Sequence, residues 1–128
     1  MRTVLLQEWI DALRSGEFSQ AKGALAKRDE NGCVSYCCLG VLATIAGVED
    51  SGVDTVDGLI EFDFDGSIEA GVIPFSHRQT IVEGVDLEMT VQDPGHPDNT
   101  TDVMRALSTM NDRGSPFPEI ATYLERLA

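Results

Sequence analysis

"GLIEFDFDGSIEAGVI", residues 58–73, is the stretch on which the fold turns. Ile60, Phe62 and Phe64 alternate with Glu61, Asp63 and Asp65. A period of two sends the apolar side chains to one face and the carboxylates to the other, the pattern of a strand lying between a core and water. Asp65-Gly66 is a two-residue hairpin signal, and Ile68, Ala70 and Val72 carry the alternation onto a returning strand. Further along, Val85, Leu87, Met89 and Val91 alternate with Asp86, Glu88 and Thr90, which predicts a third strand. The centre of the chain therefore reads as a small antiparallel sheet.

Both flanks switch to the helical period. Leu6, Trp9, Ile10 and Leu13 fall at i, i+3, i+4 and i+7, one apolar stripe, with Thr3 as the expected cap and Gly16 as the left-handed stop, so a helix is predicted over residues 4–15. A polar connection, "EFSQAKGALAKRDENG", follows. A second helix is expected from about Ser35 to Gly47, carrying Leu39, Leu42 and Ile45 inward. At the other end, Val103, Ala106, Leu107 and Met110 form one stripe and Phe117, Ile120, Ala121 and Leu124 another. Asn111-Asp112-Arg113-Gly114 separates them, and Ser115-Pro116 has the form of a cap followed by proline at the first helical position. The expected fold is one α+β domain over residues 1–128: N-terminal helices and a C-terminal helical hairpin packed around the antiparallel sheet.

At 128 residues the chain can bury a core without disulfide staples. It shows neither a Sec leader pattern nor a run that spans a bilayer, and three crowded cysteines are no extracellular disulfide framework, so a reducing cytoplasm is the expected location. The net charge of −13 is unevenly spread. From Asp29 to Asp102 there are sixteen carboxylates against one cation, Arg78. Such a segment repels phosphate and attracts basic surfaces, which disfavours direct nucleic-acid binding.

Residues capable of chemistry concentrate in "NGCVSYCCLGVLATIAG", residues 31–47. Zinc needs four tetrahedral ligands, and Cys33, Cys37 and Cys38 lack a second ligand pair, leaving only the distant His77 and His96. No metal and no cofactor is expected. A nucleophile is a second reading, since a helix N-terminus can lower a thiol pKa, and Gln20, Cys37 or Cys38, His77 or His96, and Asn111 occur in the order of papain-like cysteine hydrolases. The flanking glycine-serine-cysteine-tryptophan pattern of those enzymes is absent. Thiols buried as small apolar groups are the favoured reading.

Three stretches, "WIDALRSGEFSQAKGAL" (9–25), "YCCLGVL" (36–42) and "LSTMNDRGSPFPEIATYLE" (107–125), together resemble a widespread set of small phage and prophage proteins. Those proteins show a tryptophan-led helix ending in LRSG, a following glutamine, a CCLGV block and a closing LND-G-xxF-xEIA hairpin. The resemblance implies a mobile-element origin and a host cytoplasm, and carries no activity with it. Segment 71–91, "GVIPFSHRQTIVEGVDLEMTV", departs from the pattern, which has a tryptophan-containing segment there.

Two further motifs fail on their residue types. "EFDFDGSIEAGV" imitates a calcium loop, but its twelfth position is Val72 where a bidentate glutamate belongs. "SPFPEIATYLE" imitates a recognition helix, yet it offers Glu119 and Glu125 where a DNA reader presents cations. The polar group Arg14, Ser15, Gln20, Asn111 and Asp112 sits at helix ends or in the adjoining loops, where capping and tying those ends is the default role.

The functional expectation is binding: a phage or prophage accessory protein that inhibits or modulates a host or defence protein with a basic surface, through Glu61, Asp63 and Asp65. The alternatives are a small hydrolase using Cys37 or Cys38 with His77, and a pocket for a nucleotide-like small molecule near Arg14, Gln20, Asn111 and Asp112.

Overall fold

The computed structural model describes residues 2–54, 58–64, 67–69 and 82–128. Asp65, Gly66, Ala70, Val72, His77 and Arg78, all invoked above, lie outside the described residues.

The predicted first helix is α1, Leu6–Arg14, with Leu6, Trp9, Ile10 and Leu13 buried. It starts two residues later than expected, because β-branched Val4 pairs with Val82: β1 (Val4–Leu5) runs parallel to β8 (Val82–Glu83). Leu5 rather than Thr3 is the N-cap, and the Glu8 carboxylate, held by Arg2 at 2.6 Å, accepts from the Leu5 amide. Gly16, at φ 77°, ends the turn as expected.

The connection that follows is structured. β2 (Ser19–Gln20), β3 (Ala26–Arg28) and β4 (Val34–Tyr36) form a sheet in the order β2-β4-β3, β2 parallel and β3 antiparallel to β4. Asp29 closes the β3–β4 turn by accepting from the Asn31 and Cys33 amides. Val34 and Tyr36, both strand formers, are taken into β4, so α2 is Cys38–Ile45 and begins later than Ser35. Cys38 through Ala43 are all buried, which makes α2 the central helix, and Ile45 is only half-buried.

The period-two stretch is β6 (Ile60–Phe64), between β5 (Glu49–Asp54) and β7 (Ser67–Glu69), all antiparallel. Ile60, Phe62 and Phe64 are buried, Asp63 is exposed and Glu61 half-buried. The Arg28 amide donates to the Gly58 carbonyl, tying this sheet to β3.

The predicted third strand shrinks to β9 (Thr90–Gln92), which pairs with β10 (Thr100–Asp102) in a separate ribbon. Asp86 breaks the alternation by accepting from the Glu88 amide in a turn, and Leu87 is buried from that turn rather than from a strand. Small sheets thus replace the single expected one.

The C-terminal hairpin is α3 (Val103–Asp112) and α4 (Phe117–Leu127). Asp102 caps α3 by accepting from the Arg105 amide at 2.7 Å. Pro116, not Ser115, is the N-cap of α4, since its carbonyl already accepts from Glu119 and Ile120. α1 packs on α2 and α4, α2 on α3, and α3 on α4. The result is an α+β fold whose four described helices share one core with the inner face of β6.

Candidate functional site

The two adjacent cysteines lie inside that core. Cys37 is the N-cap of α2: its amide donates to the Leu25 carbonyl at 3.0 Å and its sulfur accepts from the Gly40 amide at 3.3 Å. The Cys38 thiol faces the Leu107 carbonyl at 3.7 Å, and the Cys38 carbonyl accepts from the Trp9 indole at 3.0 Å. Cys37 is 4% exposed and Cys38 not at all. Burial pushes the Cys37 thiol up to about 11 and Cys38 well above the usual thiol range. Loss of hydration outweighs whatever the helix N-terminus contributes, so both thiols stay protonated at neutral pH.

No hydrolase arrangement forms among the described residues. His96 is exposed on the β9–β10 loop, and Asn111 addresses the backbone of Cys38 rather than a ring nitrogen. All three cysteines are free, and no group of three or more His, Cys, Asp or Glu among the described residues could hold a metal. Phe62 and Phe64 hold residues 60–64 as a strand, where a calcium loop would coil.

Labelling reads this arrangement directly. In native protein at pH 8 exposed Cys33 should react with a maleimide at least ~100-fold faster than Cys37 or Cys38, whose thiolate fraction is on the order of 10⁻³ or less. Mass spectrometry of quenched samples gives the three rates, and Cys37 or Cys38 reacting as fast as Cys33 would restore the nucleophile. Stability should follow the same shift. Unfolded thiols release protons near 9.0 while folded Cys37 holds its proton to about 11, so stability falls as pH rises through that interval.

The helix-end polar group divides in two. Gln20, Asn111 and Asp112 come together. The Asn111 side chain, fully buried, accepts from Gln20 Nε2 at 2.9 Å and from the Cys38 amide at 3.2 Å, and donates to the Ala21 carbonyl at 2.7 Å. Gln20 also donates to the Ser115 carbonyl at 2.7 Å, and Asp112 accepts from the Gly23 amide at 2.9 Å. One buried amide thereby joins β2, the start of α2 and the end of α3. Arg14 is engaged elsewhere: its guanidinium pairs with Glu125 and donates to Thr122, both on α4. That contact holds the Glu125 carboxyl below its ordinary range.

Gly40 is a residue the sequence reading passed over. A β-carbon there would stand 1.8 Å from the Leu25 carbonyl oxygen, so α2 lies against the Leu25 backbone with no room for a side chain. The available signal was a glycine in the middle of an apolar helix, where it is unfavourable unless close approach requires it.

Two surfaces among the described residues are exposed. On the outer face of the β5-β6 pair, Glu49 stands directly opposite Asp63, both exposed, with Glu61 one pleat along. Between α3 and α4 an open groove of about 440 Å³ is lined by Met110, Pro118, Glu119, Thr122, Tyr123 and Arg126. No helix among the described residues is long and apolar enough to cross a membrane.

No curated protein and no solved structure matches the chain. The model of the family described as a domain of unknown function, DUF8296, matches residues 1–128, and the chain belongs to that family.

Proposed function

We propose that this protein acts by binding, its acidic middle engaging a basic surface on a host or defence protein and inhibiting or modulating it. The observation that carries the reading is the register of β5 on β6, which sets Glu49 directly across from Asp63 on the exposed face. Neighbouring carboxylates on one sheet face add their potentials, which favours a cationic surface as the partner. The charge count agrees, with sixteen carboxylates against Arg78 between residues 29 and 102. Their field speeds encounter with a cationic partner and turns phosphate away. The motif resemblance to small phage and prophage proteins supports placing that partner in a bacterial host cytoplasm.

The competing readings draw less support. A cysteine hydrolase needs an accessible thiolate, and both candidate thiols are buried and protonated. A small-molecule pocket at Gln20 and Asn111 needs polar atoms to spare, and the Asn111 amide and Gln20 Nε2 are spent on each other and on the backbone. No buried side-chain nitrogen or oxygen among the described residues lacks a partner.

The test is a comparative capture from bacterial lysate with the wild type and a variant carrying Glu49→Lys, Glu61→Lys and Asp63→Lys. A partner held at ~50 mM salt should be released above ~0.5 M, where charges are screened within a few ångströms, and should not be held by the variant. A variant that still unfolds in one cooperative transition shows that the loss is one of binding. Retention by both proteins at both salts would show that the partner is held elsewhere than on the acidic face.

A further inference from the structure

The groove between α3 and α4 lies on the outward face of α4, away from buried Phe117, Ile120, Ala121 and Leu124. Its α4 residues Glu119, Thr122, Tyr123 and Arg126 fall at i, i+3, i+4 and i+7, a single stripe. Glu119 and Arg126 close the two ends of that stripe, ~10 Å apart along the axis, and both are exposed. Half-buried Tyr123 and Met110 fill its middle. Neither Glu119 nor Arg126 makes an ion pair among the described residues. Their positions in the first and last turns suit the helix dipole, but that role is indifferent to what lines the groove between them.

A stripe with an anion at one end, a cation at the other and an aromatic ring between them is complementary to itself when reversed. We infer that a second copy of this chain docks on the α4 face about a two-fold axis near Tyr123, Arg126 of each copy meeting Glu119 of the other. A two-fold interface uses the same patch on both copies, which is what this pattern provides. The charge map points to the same place. Two molecules of net charge −13 repel each other over their acidic middles, whereas residues 103–128 carry three basic and three acidic groups and are neutral as a whole. The groove gives Tyr123 and the stem of Arg126 an apolar surface to cover, and arginine and tyrosine are the residues such interfaces favour. One helix face falls short of the ~800 Å² per partner of a standard interface, so the dimer is a weak one, with a dissociation constant on the order of 10–1,000 µM.

Sedimentation velocity of the full chain from ~1 µM to ~1 mM, in ~0.15 M salt to screen the net charge, should show a monomer–dimer equilibrium. Glu119→Arg and Arg126→Glu each put like charges at both ends of the contact and should each weaken self-association on the order of 100-fold. Mixed in equal amounts, the two variants should form a 1:1 dimer, since every end then meets its opposite. Tyr123→Arg, which places two cations at the axis, should be monomeric throughout. Wild type that stays monomeric to ~1 mM overturns the proposal. So does a dimer indifferent to these substitutions, such as a head-to-tail contact between the basic N-terminal segment and the acidic middle, and so does a failure of the two variants to pair.

Discussion

Gly40→Ala should destabilise the protein by about 3–5 kcal/mol, a large part of the ~5–15 kcal/mol that holds a domain of this size together. The added carbon would lie 1.8 Å from the Leu25 carbonyl oxygen and 2.7 Å from its carbonyl carbon. Both are backbone atoms, and the same oxygen accepts the Cys37 amide that opens α2, so no side chain can swing aside. Relief requires α2 to move away from Leu25, which pulls on the Trp9–Cys38 contact and on the Asn111 bridge together. The melting temperature should fall on the order of 10–20 °C. Gly47→Ala is the control: φ there is 81° but nothing lies within 4 Å of the added carbon, so only the backbone penalty of about 1 kcal/mol is expected. Equal losses at the two glycines would mean that α2 does not lie against Leu25 as described.

Asn111→Leu should cost about 3–4 kcal/mol although it keeps the volume and adds apolar surface. The loss comes from what is left behind. The Cys38 amide and the Ala21 carbonyl lose their partner in a buried site, and Gln20 Nε2 loses one of its two acceptors. Gln20→Ala should cost only about 1 kcal/mol, because Gln20 is half-buried and water can replace it at the Ser115 carbonyl. Urea denaturation of both single variants and the double one gives the coupling, expected at about 1 kcal/mol or more for residues in direct contact. A leucine variant as stable as wild type would show that the amide bridges nothing.

Most of the helices and the central hairpin were legible in the sequence because their signals are local. The stripe of Leu6, Trp9, Ile10 and Leu13, the alternation of Ile60, Phe62 and Phe64, and the stop at Gly47 each need only a few neighbouring residues. Elements paired across long separations stayed hidden. Two residues such as Val4–Leu5 or Ser19–Gln20 carry no period of their own, and they become strands only because Val82–Glu83 and Val34–Tyr36 offer them partners. The candidate site divided in the same way. Gln20, Asn111 and Asp112 could be grouped from their places at helix ends, but Arg14 fitted that description equally well and went to Glu125 instead. The groove face of α4 is on display in the order Glu119, Tyr123, Arg126, yet it gains meaning only once the other side of the helix is known to be buried.

Association kinetics separate steering by the acidic face from a contact that ignores charge. For the partner that the capture experiment yields, association and dissociation rates are measured with wild type and with the Glu49→Lys, Glu61→Lys, Asp63→Lys variant from ~25 mM to ~500 mM salt. Steering by the carboxylates predicts a wild-type association rate that falls on the order of 10–100-fold across that range, a variant rate already low at the lowest salt, and dissociation rates that change far less. Association rates of wild type and variant that coincide at every salt concentration would show that the acidic face has no part in recognition.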